Sequence, residues 1–200
     1  MPRGRLQRSL SPTDRDRRGS LRFALFECIR DKGYAATTLA DVAVAAGISA
    51  SHLLYYYPSK DAVLEDLFAV ATRHMRDDIA KLPWESPAEA LDALGDYFFG
   101  GRAFSRTEQA TMLQFWGLST HYVRLRQTKA EFDADVRERL GVLFRKAKRP
   151  AGLSARDAAE AIYGLLAGLL STSYFVDDLE LSRARDVYRK AAARFLERKD

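Results

Sequence analysis

Apolar residues recur at intervals of three and four along most of this 200-residue chain, and no stretch keeps the period of two that a half-buried strand requires. Leu21, Leu25, Cys28 and Ile29 give one apolar face to a helix predicted from about Asp14 to Lys32, where Gly33 stops it. Leu39, Val42, Ala43 and Ala46 repeat the spacing over a short segment that Thr38 caps and Gly47 ends. Ile48 fills the corner that follows. Ser49 then caps a second short helix, which buries Leu53 and turns Ala50, Ser51, His52, Tyr55 and Tyr56 outward. Pro58 breaks that helix, and Ser59 caps a new one to about Lys81 with Val63, Leu64, Leu67 and Val70 inward. Pro83, Pro87 and Gly100-Gly101 bound helices at about 87–99 and 105–119. Three more are predicted, at about 122–148, from Ser154 to Val176, and at about 182–198. The expectation is an all-α protein of about nine helices in two parts, with connections suited to a bundle.

Two short helices meeting at a glycine turn form a helix-turn-helix, a device that sets its second helix into the major groove of DNA. The order small residue, glycine, aliphatic, Ser, short polar run, aromatics and Pro58-Ser59-Lys60 resembles the DNA-binding domain of the tetracycline-repressor (TetR) family of transcriptional regulators. The resemblance runs from about Leu21 to Phe68 and includes the Lys32-Gly33-Tyr34 turn. It implies direct DNA contact by His52 and backbone clamping by Tyr56 and Lys60, while the short side chains of Ala50 and Ser51 permit close approach, Thr38 can add a hydroxyl at a helix start, and His52 and Tyr55 are the main candidates for base reading. The family commonly has Tyr where this chain has Leu54, so a contact made there is absent or moves to Tyr55 or Tyr56.

Charge sharpens this division. Residues 1–20 hold six Arg against two Asp, residues 21–60 hold four basic and three acidic side chains, and residues 61–200 hold 22 of each. The excess of +5 therefore belongs to the end that carries the helix-turn-helix, as phosphate neutralisation requires. Residues 1–13 show no apolar period and are read as a basic arm in which Arg3, Arg5 and Arg8 reach for a minor groove. Residues 14–60 are then the DNA-binding domain, and residues 61–200 the domain for ligand binding and dimerisation. The arm lacks a following apolar stretch of signal-peptide type, and a single cysteine, Cys28, at core spacing fits a reducing cytoplasm. Ala161 to Val176 is too short and too rich in Ser, Thr and Gly for a membrane span, so no membrane partner is expected.

The second part is rich in aromatic residues. Met112, Phe115, Trp116, His121 and Tyr122 combine apolar bulk with polar atoms able to orient a small apolar or aromatic ligand, although such a stripe also suits a core. Gly164 and Gly168, one turn apart beside Ala161, Leu165 and Leu169, allow another backbone to approach. The same helix of a second subunit is the expected partner, with close packing inside one chain as the alternative. No catalytic constellation, no metal-ligand spacing and no cofactor-binding loop stands out, which argues against an enzyme. The reading is a homodimeric regulator, most simply a repressor released from near-palindromic operator DNA by a small molecule. A helical small-molecule binding protein without specific DNA binding is the alternative.

Overall fold

The computed structural model describes residues 16–100, 105–177 and 179–196, and the proposed basic arm lies outside them. Nine α-helices and no strand occur among the described residues. They are α1 (Arg17–Ala36), α2 (Leu39–Ala45), α3 (Ala50–Tyr56), α4 (Lys60–Ala80), α5 (Pro87–Phe99), α6 (Arg106–Leu118), α7 (Val123–Lys146), α8 (Ala155–Phe175) and α9 (Leu181–Ala192), with a 3₁₀ turn at Ala193–Phe195. No single helix is long and apolar enough to cross a membrane.

Two compact units divide the chain at His74/Met75, Arg106/Thr107 and Lys129/Ala130. The first therefore reaches beyond residue 60: it takes in the first part of α4 and returns for residues 107–129. Its core gathers Leu21, Leu25, Ile29, Leu53, Leu64 and Leu67, all fully buried. Burying a side chain of this size contributes about 1.5–3 kcal/mol, so this core outweighs any single polar contact around it. Gly33 interrupts α1 with φ 79°, and Tyr34 to Ala36 add a further turn beyond the expected stop.

In the second unit α5 packs on α9. Arg185 bonds Asp96 and Arg189 bonds Asp92, so rising numbers on one helix meet falling numbers on the other and the pair is antiparallel. Asp133 with Tyr163 and Arg137 with Glu160 set α7 against α8 in the same sense. The exposed ion pairs among these, Arg185–Asp96, Arg189–Asp92 and Arg137–Glu160, fix register more than they stabilise. The α5–α9 contact depends on Gly95, where an added Cβ would lie 2.6 Å from Cδ1 of the fully buried Tyr188. That ring also tilts against Phe99, with centroids 5.8 Å apart.

Candidate nucleic-acid interface

Each part of the helix-turn-helix is closed by local chemistry. Thr38 and Asp41 form a reciprocal capping box at the start of α2: the Asp41 N–H donates to Thr38 Oγ1 at 3.2 Å, and the Thr38 N–H donates to Asp41 Oδ2 at 2.7 Å. Gly47, at φ 66°, donates to the Val44 carbonyl, and Ile48 donates to the Ala43 carbonyl. This is the double closure of a left-handed helix end, which suits glycine because it has no Cβ. The chain bends by 98° across the turn. Ser49 Oγ accepts the His52 N–H at 3.1 Å, and α3 ends where the Tyr57 N–H bonds the Leu53 carbonyl.

Leu53 is fully buried and fixes the rotation of α3. At about 100° per residue, Ser51 and Tyr55 then point about 160° and 200° away from the core, with His52 and Leu54 on opposite flanks. Exposure agrees: Ala50, Ser51 and His52 are open, Tyr55 is 82% exposed and Leu54 52%. Tyr56 is half-buried and forms a ring cluster with His52 and Tyr55, at centroid distances of 5.5 and 5.2 Å.

Below this face two polar clasps hold α3 and the α1–α2 turn to α4. The Tyr57 hydroxyl donates to Asp66, which also accepts from Arg22 at 2.9 Å, while Arg18 stands 5.0 Å over the Tyr57 ring. Burial opposes the charge on Asp66, but the bonds from Tyr57 and Arg22 outweigh it and hold the carboxyl below its ordinary range. Burial and the neighbouring carboxylate push the Tyr57 hydroxyl up to about 12. In the second clasp the Tyr34 hydroxyl donates to Asp61, and Lys60 Nζ donates to the carbonyls of Tyr34 and Thr37 at 2.9 and 2.6 Å. The ammonium also lies 4.1 Å from the Tyr34 ring centre.

Several expectations change here. Lys60, expected as a free phosphate clamp, turns inward and gives two of its three N–H groups to backbone carbonyls. The Thr38 hydroxyl is likewise engaged, donating to Asp41 at 2.6 Å. Bonds from Lys32 and then Thr38 hold the Asp41 carboxylate well below its usual range, which places a negative charge at the start of α2. Arg22, Asp61 and Asp66 were not singled out from the sequence, because each is one of several charged residues on the polar side of an amphipathic helix.

The five residues of the expected ligand group differ in their surroundings. Phe115 is 2% exposed in the core of the first unit and meets Phe68 edge-on at 5.6 Å, because its face of α6 is the inward one. Met112 is buried, Tyr122 packs edge-on to Tyr34 at 6.1 Å, Lys129 lies 4.7 Å over Trp116, and His121 is exposed. Two clefts of about 710 Å³ each occur in the second unit, and none of these five residues lines either. One is lined by Trp84, Glu89, Asp135, Glu138 and Val142, the other by Leu91, Lys148, Arg189 and Leu196 among others. On α8, Ala161, Gly164 and Gly168 are exposed with Leu165 and Leu169 half-buried, and a Cβ added at either glycine meets no atom within 4 Å. Among the described residues, none packs closely against these glycines. Among the described residues no cluster of His, Cys, Asp and Glu could hold a metal ion.

Comparison with known proteins agrees with this geometry. Residues 24–67 match the family described as bacterial regulatory proteins, tetR family, and residues 87–197 match that of the BetI-type transcriptional repressor, C-terminal. The chain is 30% identical over 176 residues to the HTH-type transcriptional regulator BetI 1 of Chromohalobacter salexigens, covering 86% of each chain. It is 32% identical over 161 residues to the regulator BetI of Burkholderia thailandensis, covering 76% of this chain and 79% of that one. A TetR transcription regulator from Haloarcula marismortui shares the fold at a TM-score of 0.79 and 19% identity, over 91% of this chain and 99% of that one. So does a transcriptional regulator from Saccharomonospora viridis solved in complex with choline, at 0.77 and 17%, over 90% and 98%. A capped helix-turn-helix with an open outer face, and family matches over both parts of the chain, make this protein a DNA-binding transcriptional regulator, not an enzyme, and a member of the tetR family with a C-terminal part of BetI type.

Proposed function

We propose that the protein is a homodimeric repressor that leaves its operator when a small molecule binds the second unit. The observation that carries the DNA-reading part is the outer face of α3, where Ser51 and Tyr55 stand furthest from the core and His52 and Leu54 flank them. Ala50 leaves room for close approach to a base edge, and Tyr56 offers its hydroxyl to the sugar-phosphate backbone. Lys60 and Thr38 act through position, keeping the two short helices at their angle. One such face per subunit meets successive major grooves of a near-palindromic site, about one helical turn apart or somewhat more. Work on such DNA places the protein in the cytoplasm.

The open stripe of Ala161, Gly164 and Gly168 on α8 supports pairing with α8 of a second copy, since exposed glycines one turn apart admit a close backbone. Choline in the Saccharomonospora regulator makes a small organic cation the first ligand to test. The cleft of Trp84, Glu89 and Glu138 has the indole and carboxylates that attract such a cation. Release then requires that the ligand favour the form that does not bind DNA, by about 1–3 kcal/mol for ordinary coupling. Operator binding is tested by gel shift with DNA flanking the protein's own gene, with and without choline. A complex that survives excess unrelated DNA is expected; equal binding to scrambled DNA overturns the reading.

A further inference from the structure

We infer that α3 reads the 5-methyl groups of thymine through Leu54 and Tyr55, so that each operator half-site carries thymine where these side chains land. This rests on the DNA-reading function proposed above and specifies what that face recognises.

The segment Ala50–Tyr56 contains no Arg, Lys, Asn, Gln, Asp or Glu. Those are the side chains that make two-point hydrogen bonds to guanine or adenine, or accept from cytosine, in the major groove. What remains polar is Ser51, His52 and the hydroxyls of Tyr55 and Tyr56, each offering single bonds. His52 and Tyr56 are also drawn together as a ring pair. Against this, the helix-turn-helix carries three large apolar side chains in the open: Val44 at 79%, Leu54 at 52% and Tyr55 at 82% exposed. Buried Leu53 orients α3 so that Tyr55 faces away from the core and Leu54 stands on the flank beside it. The only apolar group that a base pair displays in the major groove is the thymine methyl. The apolar faces of α3 and the methyl are therefore the complementary surfaces. Tyr55 is steadied by its edge-on contact with Tyr56, which leaves Leu54 as the simplest methyl reader.

The test uses the full chain and operator DNA obtained by selection from random duplexes. Each thymine of the selected site is replaced singly by deoxyuridine, which removes the methyl and leaves every hydrogen-bonding group in place. Titrations at fixed salt are expected to show a loss of about four-fold for each methyl contacted, the effect of exposing one carbon's worth of apolar contact. Leu54→Ala is expected to remove the uracil penalty at one position per half-site and leave the others unchanged. Because Leu54 is half-exposed, that variant keeps the core intact. A selected operator that binds equally well with uracil at every position overturns the inference while leaving operator recognition standing. A Leu54→Ala protein that keeps every penalty overturns the assignment to Leu54. Failure to select any sequence overturns the DNA-reading function and this inference with it.

Discussion

Replacing Lys60 by Met separates two roles that its position allows. Met keeps the length and apolar stem of the side chain but removes the charge and all donors. In the structure Lys60 makes two charged hydrogen bonds, to the Tyr34 carbonyl at 2.9 Å and the Thr37 carbonyl at 2.6 Å, and a cation–π contact at 4.1 Å. Tyr34 keeps a second donor in the Thr37 N–H, so of the two carbonyls Thr37 loses more. Taking about 1.5 kcal/mol for each bond, the low end for a charged partner at a part-buried site, the bonds contribute about 3 kcal/mol. The ring contact adds about 0.5–1 kcal/mol, and the retained Met stem offsets a similar amount. For a chain of this length 1 kcal/mol moves the thermal midpoint by about 2–4 °C, so Lys60→Met is expected to lower it by about 6–12 °C in a calorimetric or circular-dichroism melt. Operator affinity falls as well, but its dependence on salt keeps the parent slope, because no phosphate contact is lost. A midpoint within about 2 °C of the parent, with a slope reduced by about 0.9, would refute the bracing role and restore Lys60 as a phosphate clamp.

Asp66→Ala removes the acceptor shared by Tyr57 and Arg22; Arg22 retains Asp16 at 3.1 Å, so a loss of about 2 kcal/mol is expected, and a urea midpoint equal to the parent's would contradict it. The lowered titration of Asp66 and Asp41 carries a sign: both contribute stability that is complete above about pH 4–5 and is lost as pH falls through their folded values. The thermal midpoint should therefore hold near neutrality and decline below about pH 4, less steeply in Asp66→Asn; an equal decline in that variant counts against the Asp66 part. Tyr188→Phe removes a buried hydroxyl that has no hydrogen-bond partner among the described residues, so stability should be unchanged or higher by up to about 1 kcal/mol, where a drop of more than that would reveal a partner. Gly168→Leu adds bulk where no described residue offers an obstacle, so the folded monomer persists while sedimentation shows loss of the dimer; a dimeric profile would move the interface elsewhere.

What could be read from the sequence is what is decided locally. Thr38, Gly47, Ser49, Ser59 and Ser154 act on backbone groups within a few residues, and each closes the helix end expected of it, with Asp41 completing a box at Thr38 that was not singled out from the sequence. The clasps escaped because their partners lie far apart along the chain: Arg22 and Asp66 are separated by 44 residues, Lys60 and Tyr34 by 26. Nothing in periodicity pairs them. Phe115 and Tyr122 show the complementary limit, since a residue type suited to a cavity is equally suited to a core, and only packing separates the two; here Phe115 joins the core and Tyr122 lies half-buried against it. Gly33 fell between the two cases: it does break α1, but one further turn follows before Thr37.

The clasps and the apolar reading face answer the same physical demand. A dispersion contact with a methyl group weakens by a quarter to a half over a gap of only about 0.5–1 Å, whereas a charge near a phosphate tolerates such a shift. A recognition helix that reads methyls therefore needs tighter seating than one that relies on lysine or arginine. Here α3 is seated from below by fully buried Leu53, at its start by Ser49, and at its end by Tyr57 on Asp66. Loosening the last of these has a specific consequence. Asp66→Ala should reduce discrimination between thymine and uracil operators by more than it reduces binding to unrelated DNA, because the latter depends on basic side chains that the substitution keeps, one of which, Arg22, loses an acidic partner. Equal losses on all three DNAs would mean that Tyr57 and Asp66 stabilise the unit without positioning its reading face.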